Sequence, residues 1–496
     1  MLFNSYIFLL AFGPITIILY RILQRLGFYR VSLSFLIIAS LCFYGYQKPP
    51  YALLLIGSIL TNYGIYLILN KISGESLKIR KLIMIAGIVI NLALLFYFKY
   101  MNFFITNINS VFGSSFSLMN VVLPLGISFY TFQQISFVVD SYNNETKGYT
   151  FLEYALFVSF FPQLIAGPIV LHNELIPQFR ESQIKSSAST KYMFKKVWEG
   201  IQFFIIGLSK KLLIADFLGR GVDWGYTNIS SLNTLSSIFL ILAYTLQIYF
   251  DFSGYCDMAI GLGKMIGFDI TDNFNSPYKS LSVTEFWKRW HITLTRFLTK
   301  YLYIPLGGNR KGKTRTLINV FLVFLISGLW HGANWTFIFW GAIHGIIMVI
   351  ERIITADRLK KLPKALRFIY TFAFVNIAWV FFRSEGFGDV LNIFKRVFLG
   401  GFHLLNDGMI NQMFSVSTNP IFSRFGIDVA SNQLVYCVLS VIAILLITLL
   451  ATKHKNTREI VSSNVSKGFY PVILGILFVL CLINISGVSA FLYFNF

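Results

Sequence analysis

The residues of this chain best suited to chemistry are histidines set among apolar and aromatic neighbours. His331 ends an apolar run within Trp330-His331-Gly332-Ala333-Asn334-Trp335, and His291 lies forty residues earlier, closing Phe286-Trp287-Lys288-Arg289-Trp290-His291. A histidine at membrane depth is costly and marks a pathway or a site, unless neighbouring groups satisfy it structurally. Its near-neutral pKa suits it to take a proton from a hydroxyl attacking a thioester. His344 follows in another apolar run, so position alone does not choose between it and His331. Asp251 and Asp257, in Gln247-Ile-Tyr-Phe-Asp251-Phe-Ser-Gly-Tyr-Cys-Asp257, are carboxylates in a strongly apolar region. They could orient a histidine or line a proton path, or simply bond to neighbouring helices.

A basic stretch surrounds His291. Residues 279–316 hold nine lysines and arginines against one acid, Glu285, interleaved with Trp287, Trp290, Phe297, Tyr301 and Tyr303. This pattern predicts a cytoplasmic interfacial helix with aromatics toward lipid and cations toward headgroups. A sharper reading gives some of these cations the phosphates of an anionic donor such as coenzyme A or a phosphopantetheine arm.

The elements that must position these residues are membrane helices. The 496 residues are 56% hydrophobic and 13% charged, with 52 phenylalanines, where soluble proteins average about 25% charged. Apolar runs near the roughly 20 residues needed to cross a bilayer recur along the whole chain. The composition therefore predicts an all-α polytopic membrane protein forming a single domain over 1–496, with about 11–13 membrane segments. The net charge of +21 suggests polyanions, but lysines and arginines cluster beside apolar runs, where the positive-inside rule puts cytoplasmic charge. Nucleic acid is not expected, and anionic lipid is. Cys42, Cys256, Cys437 and Cys481 lack metal-like spacing, so neither a disulfide nor a metal site is expected.

The first apolar run lacks a basic region before it and reads as an uncleaved span, with Arg21, Arg25 and Arg30 after it. The loops after the first and third runs are basic, hence cytoplasmic, and the N-terminus then lies outside. That alternation fails beyond residue 100. Segments 118–139 and 152–170 would place the basic loop 180–196 outside, so at least one does not cross. Pro124, Gly126, Pro162, Gly167 and Pro168 interrupt them, and broken backbone is tolerated at membrane depth only under a cover of protein or around a cavity. Residues 384–430, rich in Gly, Asn and Ser, are expected to form a surface lobe.

Taken in order, Pro124-Leu-Gly126-Ile-Ser-Phe-Tyr130, Phe161-Pro-Gln-Leu-Ile-Ala-Gly167-Pro168, Asp251-Phe-Ser-Gly254-Tyr255, Phe286 to His291, Tyr301-Leu-Tyr-Ile-Pro305-Leu-Gly307-Gly308-Asn309-Arg310, Trp330 to Trp335, Trp379-Val-Phe-Phe-Arg383 and Phe491-Leu-Tyr493-Phe494 run nearly the whole chain. Together they resemble the membrane-bound O-acyltransferase family, and most closely its bacterial alginate O-acetyltransferase branch. The resemblance implies that His331 matches the catalytic histidine and His291 a second characteristic polar position. It implies a helical ring around a central tunnel, with acetyl-coenzyme A as donor, no permanently bound cofactor, and a separate extracytoplasmic, esterase-like partner that modifies envelope polysaccharide. The location implied is the bacterial inner membrane. Two rivals are D-alanyl transfer to teichoic acid from a carrier protein and a polysaccharide transporter or export scaffold.

Overall fold

The computed structural model describes residues 1–72, 77–184, 190–354, 356–414, 433–463, 468–485 and 491–492, and among these every regular element is helical. Eight helices are long and apolar enough to cross a membrane: Phe8–Arg25, Pro49–Lys71, Leu77–Phe112, Thr234–Ile266, Lys313–His331, Trp335–Ile354, Lys364–Arg383 and Gln433–Lys453. Tyr29–Gly45 and Tyr470–Asn484 are shorter apolar helices. The protein is an all-α polytopic membrane protein. The chain divides into two compact units, unit 1 formed by Met1–Phe204 with Met258–Asp272 and unit 2 by Ile205–Asp257 with Asn273–Phe496.

Unit 1 begins with α1 (Gly13–Arg25), α2 (Tyr29–Gly45), α3 (Pro49–Lys71), α4 (Leu77–Leu95) and α5 (Met101–Phe112), the last two joined through a π-helical turn into one long apolar rod. Helix α6 (Ile127–Tyr142) is almost wholly buried and packs against α3 and α4. Beside apolar contacts such as Val138 with Ile65 and Leu69, its packing includes buried polar bonds. Asn62 donates to Gln134, Asn91 donates to Asn62 at 2.6 Å, and the Ser58 hydroxyl donates to Gln134 at 3.2 Å. Side-chain bonds of this kind hold helices together where lipid offers no hydrophobic incentive to associate.

Both interrupted segments are broken; the second is covered by protein, while the first is largely buried only from Ile127 onward, its irregular residues 118–123 being exposed or half-exposed. Gly126 sits at φ +73 before α6, and a Cβ there would lie 2.7 Å from the Leu164 carbonyl. Only glycine lets these two backbones approach so closely. The second segment yields α7 (Phe151–Ser159), the four-residue α8 (Phe161–Leu164) and α9 (His172–Ile184), with residues 151–171 largely buried.

Unit 2 is organised by an aromatic core around Trp290, Trp340 and Trp379. Following α10 (Thr190–Ser209), whose first residues to Phe204 belong to unit 1, α11 (Asp216–Thr227) and α12 (Thr234–Ile266), whose residues from Met258 belong to unit 1, the basic stretch forms two short helices, α13 (Val283–Arg289) and α14 (Ile292–Leu298). The expected outward-facing aromatics are here reversed. Trp287, Trp290 and Phe297 are 3%, 0% and 5% exposed, because the stretch folds into the core as two short turns rather than lying on it as one helix. Then come α15 (Lys313–His331), α16 (Trp335–Ile354), α17 (Ala356–Lys360) and α18 (Lys364–Arg383). Of the expected lobe, α19 (Phe387–Leu399) and α20 (Asp407–Phe414) are described, while 415–430 lies outside the described residues.

Candidate active site

Helix α13 owes its start to Ser282, whose hydroxyl accepts from the Glu285 N–H at 3.0 Å, and to Glu351 of α16. Glu351 accepts from the Val283 and Thr284 N–H groups at 2.7 and 2.8 Å and from the Thr284 hydroxyl at 2.6 Å. A carboxylate on the unsatisfied N–H groups of a helix start is favourable both as hydrogen bond and against the dipole. The helix stops at Trp290, which is extended, and His291 turns into the left-handed region at φ +45.

Asn273 secures that turn. Its backbone carbonyl accepts from the Ile292 N–H at 3.0 Å, and its side-chain oxygen accepts from the Thr293 N–H and hydroxyl at 3.2 and 2.9 Å, capping α14 from twenty residues away. The same oxygen lies 3.2 Å from His291 Nδ1, while the Asn273 amide nitrogen donates to Cys256 Sγ at 3.4 Å. A carboxamide oxygen only accepts, so Nδ1 carries the proton and Nε2 presents its lone pair. Burial pushes the His291 imidazole down to about 3, which keeps it in this neutral form.

His331 is the last residue of α15. Helices α15 and α16 cross where Gly328 faces Gly341, a Cβ on Gly328 lying 2.9 Å from the Gly341 Cα. Small residues permit such close crossings in membranes. The His331 ring is 2% exposed and sits edge-on to Trp330, Trp340 and Phe382 at centroid distances of 4.9, 5.1 and 5.3 Å. His291 lies beside it at 6.3 Å. The two histidines singled out in the sequence are thus neighbours. His344 is not part of this pair: its Nδ1 accepts from the Trp287 indole at 3.1 Å, and Trp340 packs against both His344 and His331.

A cavity of about 730 Å³ opens beside this framework, lined by Trp287, Ser327, Tyr303 and Phe324 within and by Lys288, Arg352, Lys360 and Arg367. Ser327 is one helical turn before His331, on the same face of α15. The Ser327 and Tyr303 hydroxyl oxygens are buried with no hydrogen-bond partner among the described residues. Of the two acids in the lining, Glu351 is taken up by α13 and Glu285 pairs with Arg289 at 2.9 Å. The lining thus carries four cations against two acids, an excess of positive charge toward an incoming ligand.

Asp251 and Asp257 do not join the histidines. Lys211 Nζ lies 2.7 Å from Asp251 and 2.8 Å from Asp216, and Lys210 Nζ lies 2.7 Å from Asp257, whose carboxylate also accepts from the Thr457 hydroxyl at 2.6 Å. Lys210 and Lys211 inside an apolar run were the sequence signal for these pairs. Asn273 carries no such signal, since its partners are distant in sequence.

Comparison with known proteins gives the family. The model described as MBOAT, membrane-bound O-acyltransferase family, matches residues 89–386, which include Asn273, His291 and His331. The chain is 39% identical to the peptidoglycan O-acetyltransferase of Helicobacter pylori, over 100% of this chain and 98% of the relative. It is 40% identical to the probable alginate O-acetylase AlgI of Pseudomonas aeruginosa, over 81% of this chain and 75% of the relative. The teichoic acid D-alanyltransferase of Streptococcus thermophilus is more distant, 28% identical over 54% of this chain. With a family model over more than half its length and a full-length relative of this identity, the chain belongs to the membrane-bound O-acyltransferase family and is an acyltransferase.

Proposed function

We propose that this protein moves acetyl groups from acetyl-coenzyme A on the cytoplasmic side of the bacterial inner membrane toward an extracytoplasmic envelope polysaccharide, peptidoglycan first. The observation that carries this reading is the pairing of His331 with His291 in an aromatic surround, next to a cation-lined cavity roomy enough for a pantetheine arm. The cations suit the donor's phosphates. The peptidoglycan relative favours that acceptor because it matches over nearly its entire length.

In this reading His331 is the general base. It takes the proton of the acceptor hydroxyl as that oxygen attacks the thioester carbonyl, the carbon–sulfur bond breaks, and the imidazolium returns the proton to the departing thiolate. His291, fixed by Asn273, positions the donor or the His331 ring. The acceptor reaches His331 through a passage from the opposite face within a helical ring, and a separate esterase-like protein completes transfer to the glycan.

The test is the acetyl-ester content of isolated envelope polysaccharides from cells carrying the wild-type chain or His331→Ala at equal membrane abundance, with the partner present. Loss of ester from one glycan identifies that glycan. Unchanged ester on every glycan refutes the assignment and restores the transporter reading.

A further inference from the structure

Unit 1 contains a second polar centre that acyl transfer does not use. His172, the first residue of α9, places Nε2 2.9 Å from Asp140 Oδ2, and both side chains are fully buried. Its Nδ1 lies 3.2 Å from the Tyr149 hydroxyl. Glu145, exposed in the loop after α6, completes the group: one ligand atom each from Asp140, Glu145 and His172 lie within 4.8 Å of one another.

The backbone is shaped to bring them together. Asn144, at φ +65, turns the chain back so that the Glu145 N–H donates to the Asp140 carbonyl at 2.8 Å. Buried Arg80 holds this turn, donating to the Tyr142 carbonyl at 2.8 Å and to the Asn144 side-chain oxygen at 2.9 Å. Asp140 and His172 form the buried side of this group and Glu145 its exposed rim, so that an imidazole and two carboxylates converge where a cation can enter from solvent.

We propose that Asp140, Glu145 and His172 bind a divalent transition-metal ion, zinc by donor type, with water completing its coordination. One imidazole and two carboxylates suit a borderline ion better than calcium or magnesium, which take oxygen donors alone. Tetrahedral zinc at about 2.1 Å from each ligand spaces those ligands by roughly 3.4 Å. The rotatable side chain of Glu145 closes the remaining distance, while Asp140 and His172 separate slightly. With Nε2 on the metal, Nδ1 carries the proton and donates to Tyr149, the outer-shell contact that orients ligating histidines. The ion fastens α6, its loop and α9 into one piece.

The experiment uses the full chain in detergent, stripped with a chelator and titrated with Zn²⁺ or Mn²⁺. Bound metal is read by mass spectrometry and the melting temperature by intrinsic fluorescence. The wild type takes up a single ion and melts higher with it. Glu145→Gln, an exposed change that leaves the buried pair intact, retains at least tenfold less metal, and Tyr149→Phe binds about tenfold more weakly. A wild type that holds no more metal than Glu145→Gln reduces the group to a histidine–aspartate hydrogen bond. Full uptake by the folded double variant Glu145→Gln/His172→Asn places the ion elsewhere. Either result overturns the proposal without touching the reading of His331.

Discussion

His331 in unit 2 and His172 in unit 1 are equally buried, at 2% and 0% exposed, yet their surroundings differ in kind. His331 is held by ring edges, Trp330, Trp340 and Phe382, with a second imidazole beside it. His172 is gripped by a carboxylate on one nitrogen and a phenol at the other. Aromatic edges orient an imidazole through its ring faces and edges, whereas a carboxylate and a phenol orient it through its nitrogens. The difference teaches that burial alone does not decide how an imidazole is held. Its neighbours do.

The contrast can be broken by substitution. His331→Ala should lower glycan acetylation by about 10² to 10⁴, the contribution of a general base, while the melting temperature stays close to wild type; acetyl-ester analysis alongside thermal unfolding checks both. His172→Leu should do the reverse, leaving Asp140 buried without its partner and lowering stability by about 3 kcal/mol. A variant that keeps its melting temperature but loses acetylation would move His172 into the chemistry.

Asn273→Ala sharpens the comparison within unit 2. It removes the remote cap of α14 and the bond that sets the His291 tautomer, and should cost about 1–2 kcal/mol of stability together with a fall in kcat. Asn273→Asp, which keeps an accepting oxygen, should recover most of the cap. Smaller effects belong to the cavity. Arg352→Ala and Lys360→Ala should each raise the KM for acetyl-coenzyme A about two- to fivefold with kcat unchanged, as expected for solvent-screened cations, and steady-state kinetics in detergent or liposomes reads the split.

The smallest effect concerns the surface of unit 1, where Arg180 donates to Glu153 at 2.6 and 2.9 Å. Burial pushes the Glu153 carboxyl up, but the bonds from Arg180 and Thr150 outweigh it and hold the group below the ordinary glutamate range. A depressed carboxyl stabilises the fold above its unfolded pKa and loses that contribution as pH falls through the folded value. The melting temperatures of wild type and Arg180→Ala should therefore differ at neutral pH and converge in acid below the usual glutamate range. A gap that persists there would refute the pairing.

Much of this arrangement is legible along the chain. Apolar runs, basic flanks and the interrupted segments at Pro124–Gly126 and Pro162–Pro168 announce a membrane protein with broken helices, because lipid imposes length and backbone satisfaction on any sequence that enters it. His331 and His291 stand out as polar residues where polarity is costly. The inward turn of Trp287 and Trp290 was not legible, since aromatic and basic residues alternate similarly whether a stretch lies on a membrane surface or folds into a core.

The sequence by itself therefore determined the helical class, the solvent each helix meets and the residues able to move a proton, all of which follow from local composition. Only the tertiary structure decided which of those residues meet. His331 rather than His344 joins His291, the carboxylates of Asp251 and Asp257 go to lysines, and Asn273, Glu351 and Tyr149 act on partners far along the chain. Contacts of that kind depend on how helices cross, and the crossing at Gly328 and Gly341 is fixed by close backbone packing that no short window of residues encodes.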